Sequence, residues 1–187
     1  MISVCTEQGF PDLLASSNCF LGWALIEEGK LTDGIAKLSE GIAAVESIRT
    51  LISKSVFLGA LADGYRKAGD AKRASELLDD GVDWANRTGE RFYECELHRL
   101  KGEVLLMGNS SNATAADNCF RTAIKLAGVQ SAKVWELRAT MSLARLDRQG
   151  RRDEARTMLA DIYNWFTEGF DTADLIHAKA LLDELNG

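Results

Sequence analysis

Between Leu58 and Gly81 the order of apolar and polar residues, LGALADGYRKAGDAKRASELLDDG, repeats with the period of a helix. Leu58, Leu61, Ala62 and Tyr65 share one face, and so do Ala74, Leu77, Leu78 and Gly81. Gly69-Asp70 separates the two runs, a residue that turns the chain followed by one that caps a new helix. The stretch predicts two amphipathic helices folded back on each other, and the pattern extends in both directions. Residues 1–10 read as the last turn of a preceding helix. A helix opens at Pro11-Asp12 and runs to about Glu28, where Gly29 stops it. The next, capped by Thr32 or Asp33, carries Ile35, Leu38, Ile42 and Val45 inward and runs to about Thr50. A second pair spans roughly 53–88, with Asp70 as the cap between its helices. The third begins after Gly89 with Phe92, Leu97, Leu100 and Val104 inside, turns at Gly108 to Asn112, and continues with Ala116, Phe120, Ala123 and Leu126. The fourth runs from about Ala132 to Arg148 and, past Gly150, from Arg151 to Phe166. Asp171-Thr172-Ala173-Asp174 predicts the capped start of a last helix ending near Leu185.

Superposing the pairs reveals a repeat. Gly22, Ala62, Gly102 and Ala144 occupy one position of the first helices, spaced by 40, 40 and 42. Gly34, Ala74, Ala116 and Ala155 do so in the second helices, each followed four residues later by Leu38, Leu78, Phe120 or Leu159. Seven residues on stand Gly41, Gly81, Ala123 and Ile162. Helices that cross closely need Gly or Ala at the crossing and a large side chain beside it to fill the gap. This pattern resembles the tetratricopeptide repeat over nearly the whole chain. The resemblance implies an all-α fold, a right-handed superhelix of antiparallel helical hairpins. One domain over 1–187 is expected, with repeats at about 11–50, 53–88, 90–128 and 132–166 and a C-terminal helix at 171–186. The period departs from the ~34 residues of the common repeat, the usual proline at each repeat end is absent, and Ile162 replaces a small residue.

Composition narrows function by exclusion. A net charge of −6 argues against a direct nucleic-acid binder. No apolar run approaches the ~20 residues of a membrane span, and MISVCTEQGF has no basic-then-apolar leader, so a cytoplasmic protein is expected. Cys5, Cys19, Cys95 and Cys119 are expected to pack between helices. Cys95 and His98 share a helical face but have no second pair near them, so no metal is expected, and no cofactor either. Asn86-Arg87-Thr88, Asn109-Ser110-Ser111 and Asn112-Ala113-Thr114 match glycosylation sequons but read as turn and capping residues. No carboxylate pair or nucleophile is marked out by a strand end or a Gly-rich loop, so the chain is not expected to be an enzyme.

A narrower resemblance rests on the third and fourth repeats. Glu96-Leu97-His98-Arg99-Leu100-Lys101-Gly102-Glu103 is similar to the ELHRLKGE segment of a bacterial family. So are Trp135-Glu136-Leu137-Arg138-Ala139, Ser142-Leu143-Ala144-Arg145-Leu146, Gly150-Arg151-Arg152-Asp153-Glu154-Ala155 and the closing stretch from Trp165-Phe166-Thr167-Glu168-Gly169-Phe170-Asp171-Thr172 to Ala178-Lys179-Ala180-Leu181-Leu182. Together they resemble the C-terminal repeat region of large bacterial signalling ATPases, including class III adenylyl cyclase and LuxR-type proteins. The chain has no G-x-x-x-x-G-K-[ST] phosphate loop, so the resemblance implies a sensor or scaffold part without cyclase or ATPase activity.

In such stacks the first helices line the concave surface. The residues after the small crossing positions, Trp23, Asp63, Glu103 and Arg145, are expected to face it. A turn before them lie Cys19, Gly59, Arg99 and Met141, and a turn after, Ile26, Arg66, Leu106 and Arg148. Trp23, Asp63, Arg66, Arg99, Glu103 and Arg145 are therefore the candidate residues for holding a protein or peptide partner. A bland reading stands beside this one, in which Arg99 with Glu103 and Asp63 with Lys67 pair along their own helices. The alternative function is a small-molecule sensor that regulates a cyclase, ATPase or transcription module, for which an enclosed apolar pocket near Trp23 would be the sign. A third reading is self-association through exposed repeat ends.

Overall fold

Among the described residues the helical periodicity becomes ten α-helices, and there is no strand. The computed structural model describes residues 1–49, 52–108, 112–147 and 150–187, the side chain of Asp147 excepted. The helices are α1 (Ile2–Gln8), α2 (Pro11–Glu27), α3 (Leu31–Ser47), α4 (Lys54–Lys67), α5 (Ala71–Thr88), α6 (Glu94–Gly108), α7 (Ala113–Val129), α8 (Lys133–Asp147), α9 (Arg152–Tyr163) and α10 (Ala173–Asn186). They group into two compact units, Met1–Tyr93 and Glu94–Gly187.

In the first unit α2 pairs with α3 and α4 with α5, while α2 and α3 both pack on α4 and α1 lies against α2. In the second, α6 pairs with α7 and α8 with α9; α6, α8 and α10 pack side by side, and α7 and α9 lie across them. The small residues mark the crossings as the sequence predicts. A Cβ on Gly22 would stand 2.4 Å from the Leu38 backbone nitrogen, and one on Gly102 would stand 2.4 Å from the Phe120 ring. Ala62, Ala74, Ala116 and Ala123 are fully enclosed, as are Leu38, Leu78, Phe120 and Leu159. Ile162 is buried too, in a cluster with Leu159, Leu175 and Leu182, so the larger side chain is accommodated by α10 packing on α9.

The helix ends follow local chemistry with some corrections. Gly69 takes φ +87°, and the Asp70 carboxylate accepts from the Arg73 N–H at 2.9 Å, the expected stop and cap. Neither Thr32 nor Asp33 caps α3, which starts earlier, at Leu31 after Lys30. Asp33 instead sits in the first turn, where a negative charge suits the helix dipole. Thr172 occupies the capping position of α10, but its hydroxyl donates to the Gly169 carbonyl at 2.7 Å rather than accepting from the helix. α9 ends at Tyr163, three residues before the expected Phe166; Trp165 and Phe166 follow in tight turns, their N–H groups reaching Ile162 and Tyr163. Phe92 is 54% exposed, not inside; Tyr93 takes the buried place. Thr50, Arg148 and the turn residues 109–111 lie outside the described residues.

Candidate binding surfaces

In the first unit Asp63 and Arg66 come together on α4, the Arg66 Nε donating to Asp63 Oδ1 at 2.7 Å. Lys67 closes the set, reaching Asp63 at 2.9 Å on its own helix and Glu27 of α2 at 2.8 Å. Burial by itself would raise the Asp63 carboxyl, but Arg66 and Lys67 outweigh it and hold the group below the ordinary carboxylate value. Burial likewise opposes the charge on Lys67, yet Glu27 and Asp63 push its ammonium above the ordinary value. Trp23 is half-buried on α2 and is not part of this set.

In the second unit a longer ladder crosses α6, α8 and α10. Arg99 grips Glu96 with two N–H groups, at 2.7 and 2.8 Å, and reaches Glu103 at 3.4 Å. Ser142 of α8 donates to the same Glu103 carboxylate at 2.6 Å. Arg138 of α8 fastens Asp174 of α10 with Nε 2.9 Å from both carboxylate oxygens, lies 3.9 Å from Glu96, and stacks over Trp135 at 5.0 Å. Burial opposes the Arg138 charge, but Asp174 and then Glu96 raise its guanidinium above the ordinary value. Glu96 is among the most enclosed charged side chains, at 4% exposure, and the two arginines are what make its burial tolerable. Buried polar groups matched in this way are fixed in position before any partner arrives.

Arg145 stands apart. It is exposed on α8 one turn beyond Ser142, and among the described residues it makes no salt bridge. It lines an open cleft of about 290 Å³ with His177, Ala180, Leu181 and Glu184 of α10.

The structure therefore joins Asp63 with Arg66, and Arg99 with Glu103. The neighbours Cys19, Ile26, Gly59 and Met141, expected along the same surface, are buried between helices instead. Sequence reasoning missed Glu27, Glu96, Arg138, Ser142 and Asp174. A signal for them existed: Glu27 and Lys67 are 40 residues apart, Glu103 and Ser142 39, Arg138 and Asp174 36. Residues one repeat apart meet on adjacent first helices, so the period itself names the pairs.

The cysteines are free thiols, three buried and Cys119 half-buried. Burial pushes the Cys19 and Cys95 thiols up to about 11. Among the described residues no three His, Cys, Asp or Glu side chains cluster as metal ligands would, and no helix is long and apolar enough to cross a membrane.

The fold is an all-α helical repeat of the TPR-like kind. The chain is similar to the nearly identical TPR-like repeats of a Podosopora anserina protein assigned to the kinesin light chains, with TM-score 0.65 and 17% identity over 94% of this chain and 86% of that one. A single-substitution variant of that protein gives TM-score 0.66 at the same identity, over 94% and 85%. By sequence the chain is 27% identical over 135 residues to an uncharacterized protein of Rhizobium meliloti (strain 1021). The match takes in 72% of this chain and spans 13% of that much longer protein. No family model matches.

Proposed function

We propose that the chain is a non-catalytic scaffold module that binds a protein or peptide along the face formed by α6, α8 and α10, with the Glu27–Asp63–Arg66–Lys67 set as its counterpart in the first unit. The observation that carries this reading is the ladder from Asp174 through Arg138, Glu96 and Arg99 to Glu103, largely buried and mutually oriented. Arg145, further along α8 and without a salt bridge among the described residues, adds an exposed guanidinium. Such an array offers fixed donors and acceptors to an extended backbone and one cation to an acidic group. TPR-like folds generally serve protein interaction, which supports the same reading. The sensor alternative asks for an enclosed apolar pocket beside Trp23; the open, charged surroundings of Arg145 favour the peptide reading.

The proposal extends to a regulatory role related to bacterial signalling ATPases and cyclases. Its support is the ELHRLKGE and WFTEGFDT segments, and a bacterial origin is supported by the Rhizobium relative. Four free cysteines suit a reducing cytoplasm. Self-association belongs to the proposal as well, supported by Phe10, exposed just before α2, and by Leu13 and Phe20, exposed on it. Capture of partners from a host lysate by the wild-type chain and by Arg145→Glu tests the central reading. Loss of a captured protein in the variant is expected; identical capture by both would refute the assignment of the surface.

A further inference from the structure

The loop 164–172, between α9 and α10, exposes aromatic side chains that repeat packing does not require. Trp165 is 58% exposed and Phe170 47%. Behind them Phe166 and Tyr163 are half-buried against the core of the second unit. Trp165 meets Phe166 edge-on at 5.3 Å, and Phe170 meets Tyr163 at 5.7 Å. Backbone bonds hold the loop in place: Trp165 and Phe166 donate to Ile162 and Tyr163 at 3.3 and 3.2 Å, and Thr172 donates to Gly169 through its N–H and its hydroxyl. Gly169 makes the turn with φ +77°. Exposed aromatics on an ordered support are what carry energy at protein interfaces, because little entropy is lost on contact.

Charge selects the partner. Lys133 places its ammonium 5.7 Å from the centre of the Trp165 ring while paired with Glu136 at 2.7 Å, so the indole is already used as a cation acceptor. Glu168 and Asp171 in the same loop are exposed, and among the described residues neither makes a salt bridge. An acidic partner would bring like charges together at this rim, and a purely apolar one would cover two carboxylates without compensation. A basic segment meets both demands.

We infer that loop 164–172 docks a basic segment of a partner protein, the segment's apolar side chains lying against Trp165 and Phe170 while Glu168 and Asp171 balance its charge. The inference goes beyond the α6–α8–α10 surface and uses none of the ladder residues. Calorimetric titration of the full chain with a short amidated peptide alternating arginine and leucine tests it, with the glutamate–leucine peptide as the comparison. Wild type is expected to bind the basic peptide and not the acidic one. Trp165→Ala and the pair Glu168→Gln/Asp171→Asn are each expected to weaken binding about tenfold. The second variant leaves the aromatic packing untouched, so a folding defect in the first does not decide the matter. Equal binding by wild type and the Glu168/Asp171 pair, equal binding of both peptides, or no binding at all would overturn the inference. Unchanged basic-peptide binding in Arg145→Glu separates this surface from the α6–α8–α10 face.

Discussion

Gly102 lies so close to Phe120 that a methyl group in its place would stand 2.4 Å from a ring carbon. The ring is fully buried and belongs to a cluster with Ala116 and Leu143, so it has no room to withdraw. This contact is the third copy of the crossing that Gly22 makes with Leu38 in the first pair. It turns the alignment of small residues into a measurable quantity.

Gly102→Ala should destabilise the chain by about 1–3 kcal/mol through overpacking, against the usual preference of helices for alanine. Gly128→Ala, in α7 with nothing within 4 Å of the new methyl, should be neutral or stabilising by about 0.4–1 kcal/mol. Denaturant unfolding of the two variants reads the difference. Similar midpoints for both would contradict the crossing geometry.

Removing the Arg99 charge should be costly. Arg99→Met leaves Glu96, almost wholly enclosed, with Arg138 at 3.9 Å as its remaining cation among the described pairs. Breaking a buried pair of this kind costs about 3–5 kcal/mol. The double variant Arg99→Met/Glu96→Met should recover much of the loss, which a double-mutant cycle on unfolding midpoints would reveal.

Arg145→Glu should behave differently. The side chain is exposed and outside the ladder, so stability should stay within about 0.5 kcal/mol of wild type. Charge reversal at Arg145 is therefore the clean probe of partner binding, whereas reversal at Arg99 would confuse binding with folding. A thermal midpoint for Arg145→Glu far below that of wild type would show a structural role for the residue.

His98 should make the second unit sensitive to mild acid. Burial holds its imidazole below the ordinary histidine value, Glu94 pulling the other way and Lys101 adding to the depression. The unfolded chain takes up the proton near the ordinary value of about 6.5, the folded chain only below it. Stability is therefore complete above that value and declines as pH falls through the window beneath it. His98→Gln should flatten this part of the stability–pH curve, followed by unfolding at successive pH values. An unchanged slope would assign the acid sensitivity to other groups.

The sequence by itself determined the helices, their pairing and the small residues at each crossing. Period and residue size are local properties, and the fit of Gly22 to Leu38 or Gly102 to Phe120 repeats them at a fixed spacing. It also marked Arg99 with Glu103 and Asp63 with Lys67 as pairs along their own helices, and the structure makes both. Only the tertiary structure decided what those charges do. Whether Arg99 is offered to a partner or spent on Glu96 depends on how deeply α8 buries that carboxylate, and whether α10 supplies Asp174 to Arg138 depends on the packing of the two helices. Phe92 turned outward and Tyr93 inward for a related reason: in the short approach to α6 the helical period has not begun, so no face is yet defined for the pattern to read.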